Sequence, residues 1–147
     1  ILDGIKKTVS ESTEIIYSKD GSDVVPNLDN IAVVVIGEDP YTEFFGDKDN
    51  LDLNNDDINL INSLKDKGFK VAVLLISGRP LNVADHIDQW DAFAAIWLPG
   101  TEGDGVSDIL FGNFSSTGRL SFPWPINTEE GSNADKDNLL FEIGYGL

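Results

Sequence analysis

The chain has 147 residues and a formal charge of −16, from 26 Asp and Glu against 10 Lys and Arg. Its length suits one domain with a real core, while that charge excludes a phosphate-backbone or anionic-membrane partner, which needs clustered cations. Regular apolar runs exclude a disordered acidic tail, none reaches the length of a membrane span, and the absence of cysteine removes disulfides, thiolate chemistry and cysteine metal sites.

In chain order, Ile1, Leu2, Ile5 and Val9 have the spacing of one helical face, and TEIIY (13–17) reads as a short strand. IAVVVIG, Ile31 to Gly37, predicts a strand buried on both faces. Behind it, Gly37 to Asp57 places eight carboxylates and one lysine in 21 residues. Asn55-Asp56-Asp57 then supplies a cap and first-turn carboxylates for a helix with Ile58, Leu60, Ile61 and Leu64 on its apolar side and Gly68 as its stop. KVAVLLIS (70–77) is a second buried strand. The turn GRP leads to a helix carrying Val83, Ala84, Ile87 and Trp90, and AFAAIWL (92–98) is a third strand. The turn PGTEGDG and a helix over VSDILFG follow. RLSFPWP reads as a short edge strand, because Pro123 and Pro125 cannot donate to a ladder, and the polar tail from Ile126 is expected to wrap the surface.

This alternation predicts an α/β domain: a doubly wound, mostly parallel sheet with helices on both faces, filling residues 1–147 as a single unit. Ligands of such sheets bind outside the carboxyl ends of the strands. That rule places Glu38, Glu43, Asp47, Arg79, Glu102 and Asp104 on one rim. No phosphate-binding GxxxxGK[ST] or GxSxG elbow is present, and EGDGVSD lacks the third glycine of a dinucleotide fingerprint. His86, between Asp85 and Asp88, reads as an ordinary exposed histidine. DKDNLDLNNDD has the oxygen-rich composition of a calcium loop, yet from Asp47 the fifth position is Leu51, and from Asp52 the sixth is Asp57 and the twelfth Ser63. Calcium is therefore disfavoured, and no cofactor is expected.

The order GEDPYTEFFGD, LLISGRPL, DAFAAIWLPGTEGDGVSDILFGNFSSTGRLSFPWP and LLFEIGYGL resembles the second domain of family 3 glycoside hydrolases, the β-glucosidases and exo-β-glucanases. The resemblance runs from about Ile31 to Leu147. It implies a flavodoxin-like six-stranded sandwich standing beside a TIM-like barrel domain that carries an aspartate nucleophile. It also implies a β-glucan or glucoside substrate and an extracellular or periplasmic setting. Family domains begin with a further strand and a Gly- and Trp-bearing segment, which this sequence lacks ahead of its first helix. With no methionine and Ile1 at its start, the chain reads as a mature product or a piece of a longer protein.

In many two-domain members of the family the glutamate of the GExPYxE motif is the general acid/base, and the resemblance carries that role onto Glu43. A retaining glycosidase needs two carboxyl groups about 5–5.5 Å apart, and a mobile loop at a strand's end can deliver the second onto a site built by another domain. Glu38, directly behind the strand, reads as the anchor of the loop. Phe44 and Phe45 are candidates for substrate contact, as a wall for the aglycone. Without the barrel, the chain alone is expected to be inactive. The competing reading is a noncatalytic module whose rim carboxylates bind sugar hydroxyls or calcium, or which only docks on a barrel.

Overall fold

The computed structural model describes residues 1–26, 30–127 and 138–146. Helix α1 (Leu2–Thr8) leads to strand β1 (Ile31–Gly37), helix α2 (Asn55–Asp66) and strand β2 (Lys70–Ile76). Helix α3 (Ala84–Ile87), strand β3 (Ala92–Ala95) and helix α4 (Gly103–Leu110) follow, and then the short strands β4 (Trp124–Pro125) and β5 (Leu139–Phe141). The first three strands form a parallel sheet in the order β1-β2-β3, and β4 pairs with β5 in a separate antiparallel ribbon. The α/β class with a mostly parallel sheet is thus as the sequence predicts. Among the described residues the main sheet has three strands, not the six that the resemblance implies.

The register explains where the core lies. Val34 stands beside Val73, which stands beside Phe93, and Ile36 beside Leu75 beside Ala95. Neighbours on a rung share a face, so these side chains form one apolar surface. Ile61 and Leu64 from α2, Leu81 and Val83 from the approach to α3, and Trp124 close over it. The indole of Trp124 is 1% exposed. It donates from Nε1 to the Leu81 carbonyl at 2.9 Å, and its ring stands edge-on to Phe93 and Phe141. This one side chain ties the β4–β5 ribbon to the parallel sheet.

The opposite face differs from expectation. Ile31 and Val35 of β1 are 65% and 42% exposed, so the apolar run IAVVVIG is not buried on both sides. A continuous apolar run shows what a strand could bury, but neighbours decide what it does bury. TEIIY is irregular, with Ile16 and Tyr17 open to solvent and no strand paired with it among the described residues. Asn54, one residue earlier than the sequence suggests, caps α2 by accepting the Asp56 amide at 2.9 Å. Helix α3 is a single turn that ends before Trp90, and α4 begins inside the glycine-rich turn at Gly103. Of RLSFPWP only Trp124 and Pro125 are strand, with Arg119 bridging to Gly146. The expected course of the tail falls partly on residues 128–137, outside the described residues.

Helices α1 and α4 pack on each other through small residues. A Cβ on Gly4 would stand 2.6 Å from both the Gly103 carbonyl oxygen and Ser107 Oγ, so only glycine permits this approach. Lys7 pairs with Asp104 at 2.8 Å across the contact, an exposed bridge that adds little.

Trp124→Phe should lower unfolding free energy by about 1–3 kcal/mol, because the Leu81 carbonyl is left without its donor. Chemical denaturation will measure it, and an unchanged midpoint would contradict the role given to the indole.

Candidate active site

Strands β1 and β2 finish on the same rung, Gly37 opposite Ile76, and the Glu38 amide donates to the Ile76 carbonyl at 3.1 Å. The loops that follow therefore start side by side. From the second loop, Arg79 reaches across to the first. Its Nη2 and Nε donate to Glu38 Oε1 at 2.6 and 3.1 Å, and its Nη1 donates to the Gly46 carbonyl at 2.6 Å. The guanidinium carbon lies 4.8 Å from the centroid of the Tyr41 ring, and the Tyr41 hydroxyl donates to Glu38 Oε2 at 3.4 Å. A Cβ at Gly46 would overlap that ring, so the loop closes on Tyr41 only with glycine there. The Glu38 side chain is 8% exposed and that of Arg79 24%. Hydrogen bonding to Glu38 holds the guanidinium still more firmly protonated than usual.

Further along, the Asn82 amide donates to the Leu51 carbonyl at 2.9 Å, and Asn82 Nδ2 donates to Asp52 Oδ1 at 2.6 Å. Asn50 Nδ2 serves the other Asp52 oxygen at 2.8 Å. Donation from Asn82, then from Asn50, holds the Asp52 carboxyl below the ordinary carboxylate range. At the far end, Asp57 accepts the Gly37 amide, although burial is the larger influence and raises its pKa. The acidic loop is thus fastened at several points, with Glu38 at its start.

Between the fastenings, one turn stands out. Residues Glu43–Gly46 form a single 3-10 turn, and Glu43 enters it at φ +48°. Only one other described non-glycine residue has positive φ, Trp97, and its ring packs on Trp124 and Phe122. The Glu43 carboxylate is exposed. Such a backbone costs of order 1–3 kcal/mol and persists only where the surroundings over-determine it. Phe44 and Phe45 beside it are 67% and 71% exposed, with their rings 4.6 Å apart and tilted against each other. Glu43 lines neither the groove of about 380 Å³ bordered by Gly37, Asp39, Lys48 and Leu53 nor the one of about 680 Å³ near Asn82 and His86. It stands exposed outside both grooves.

The rim predicted from topology is therefore divided. Glu38, Arg79 and the nearby charge of Asp47 gather behind the Glu43 turn. Asp104 turns away to Lys7, and Glu102 accepts from its neighbour Thr101 at 3.0 Å. Among the described residues, no group of three His, Asp or Glu side chains converges as a metal-ligand set. The contribution of Arg79 was not legible as a contact, since it lies 41 residues from Glu38. Topology places it on the same rim as Glu38 without giving the bond between them.

The sequence model of the glycosyl hydrolase family 3 C-terminal domain matches residues 1–147. The chain belongs to this family. Other family 3 proteins similar to it include a lysosomal beta glucosidase of Dictyostelium discoideum, 32% identical over 95% of this chain and 17% of its own length. A beta-xylosidase of Formosa agariphila is 29% identical, covering all of this chain and 25% of its own. A periplasmic beta-glucosidase of Salmonella typhimurium is 28% identical over 80% of this chain and 19% of its own. The family 3 chain thus spans a quarter or less of the length of these curated relatives. Among solved structures, the exo-1,3/1,4-beta-glucanase of a Pseudoalteromonas species is 41% identical with a TM-score of 0.72, covering 86% of this chain and 17% of that one. The beta-glucosidase of Listeria innocua, at 22% identity and a TM-score of 0.66 over 80% of this chain and 20% of that one, shares the fold.

The lowered Asp52 pKa fixes the sign of a pH effect. A carboxyl depressed in the folded state stabilises above its unfolded value near 3.9 and loses that contribution as pH falls through the folded value. Asp52→Ala should therefore lower the urea midpoint at pH 7, with the difference from wild type shrinking below about pH 4. A difference independent of pH would contradict the account.

Proposed function

We propose that this domain supplies the general acid/base of a retaining β-glucosidase or exo-β-glucanase, that Glu43 is that residue, and that the nucleophile comes from a barrel domain of the same protein. The observation that carries the proposal is the placement of Glu43: an exposed carboxylate in a strained backbone conformation, on a turn braced from behind, at the carboxyl edge of a parallel sheet. Likeness to an exo-1,3/1,4-beta-glucanase and to beta-glucosidases supports the reaction class. The substrate is a β-glucosidic bond in a glucan or in cello- or laminari-oligosaccharides, and the setting is extracellular or periplasmic.

In the first step the partner carboxylate attacks the anomeric carbon while Glu43 gives its proton to the departing glycosidic oxygen. In the second, Glu43 takes a proton from water as that water attacks the same carbon and frees the partner carboxylate. A general acid must hold its proton at working pH, and burial or a nearby carboxylate achieves this. Both arrive only when the second domain closes over the turn. Phe44 and Phe45 would then flank the leaving group as an apolar wall. Taken alone, the chain hydrolyses nothing, because one carboxylate does half of the reaction.

In the complete enzyme, Glu43→Gln should reduce kcat/KM for oligosaccharides by about 10²–10⁴-fold and kcat/KM for activated aryl glucosides far less, since a good leaving group needs no proton in the first step, while kcat on the aryl glucoside falls with the lost base of the second. With Glu43→Ala, azide should restore turnover of the activated substrate. Equal losses on both substrate classes would reject the assignment.

The same reading leaves the loop carboxylates to internal hydrogen bonds and requires no cofactor. Titration of calcium into the chain by calorimetry should give no binding in the micromolar range. A tight site would favour the noncatalytic binding module instead.

A further inference from the structure

We propose that Arg79 is a positioning residue for the proton donor, setting the height and orientation of the Glu43 turn from behind. This rests on the assignment of Glu43 and names the device that serves it.

The guanidinium reaches both sides of Glu43 in the chain. Nη2 and Nε hold Glu38, five residues before it, and Nη1 holds the Gly46 carbonyl, three residues after it. Tyr41, between the two, lies under the guanidinium plane and closes on Glu38 through its hydroxyl. Both ends of the turn are therefore referred to one rigid planar group, which a flexible ammonium cannot reproduce. Arg79 is itself held: Ser77, 2% exposed, donates its hydroxyl to the Arg79 carbonyl at 2.7 Å. Its place in the chain follows from β2, whose last rung faces that of β1.

Without this clamp, nothing else described in the structure donates to the Gly46 carbonyl, and the Tyr41 ring loses the cation above it. The positive φ of Glu43 then has less to maintain it, and the turn can relax toward an ordinary conformation. A carboxyl displaced by about 1 Å from the scissile oxygen loses on the order of a hundredfold in rate. The loss falls on the two steps in which Glu43 moves a proton. Arg79 touches no reacting atom in this scheme, so its removal should copy the signature of losing Glu43 in weaker form.

The test uses the complete enzyme and two glucosides, an oligosaccharide and an activated aryl glucoside. Arg79→Gln should lower kcat/KM on the oligosaccharide by about ten- to a hundredfold and barely alter kcat/KM on the aryl glucoside, whose first step needs no proton. Arg79→Lys should recover part of the loss. Glu38→Gln, which keeps an acceptor for Arg79 and tests the clamp if Arg79→Gln does not fold, should show the same pattern more mildly. In the Glu43→Gln background, Arg79→Lys should cause no further loss on the oligosaccharide, because a residue acting through Glu43 has nothing left to act on. Equal losses on both substrates, or losses that multiply with Glu43→Gln, would overturn the positioning role. If Glu43→Gln alone fails to separate the two substrates, the assignment of Glu43 fails first; if it separates them and the Arg79 variants do not, only the clamp is wrong.

Discussion

The arrangement at the candidate site depends on the register between β1 and β2. Seven consecutive rungs end with Gly37 opposite Ile76, so the loops behind these strands begin at one height and Glu38 and Arg79 meet across them. A slip of β1 by one residue would turn Val34 and Ile36 away from the core, and would separate Glu38 from Arg79 as well. Hydrophobic packing far from the rim thus fixes the geometry at the rim. The ion pair does not make the register; it uses it. With Glu38 almost fully buried, loss of Arg79 would strand a charge, which makes the pair costly to break even though its net contribution to stability is small.

The distribution of charge follows the same logic. A net charge of −16 concentrates repulsion on the surface, and the acidic loop carries eight of the 26 carboxylates. The structure disposes of them individually. Asp52 is satisfied by two amides, Asp57 by the amide of Gly37, and Glu38 by the guanidinium. Glu43 is exposed, as are Asp39, Asp47, Asp49 and Asp56. A loop that reads as uniformly acidic is therefore differentiated by its neighbours into three fastenings and a set of exposed groups, of which Glu43 alone has a positive φ.

Legibility in the sequence divides along physical lines. The three parallel strands and α2 were readable because each is a local signal: an apolar run, a capping asparagine, a terminal glycine. The motif order GEDPYTE, SGRP and LPGTEGDG disclosed the family, since each marks a loop at one edge of the sheet. What local signals could not give was partnership. Nothing in IAVVVIG says that Ile31 and Val35 stay exposed, and nothing in TEIIY says that no described strand pairs with it. The bond from Arg79 to the Gly46 carbonyl and the positive φ of Glu43 arise only once two distant loops are set side by side. The residue type at position 43 was readable; its backbone conformation was not.

The glycine contact between α1 and α4 bears on the order in which the molecule can assemble. Gly4 meets Gly103 and Ser107, so the first helix of the chain has its seat on the last one, about a hundred residues later. A seven-residue helix has no stability of its own in water. During synthesis, α1 emerges long before its seat exists and stays unsettled while β1, α2 and β2 assemble. Its docking must wait until α4 has been made.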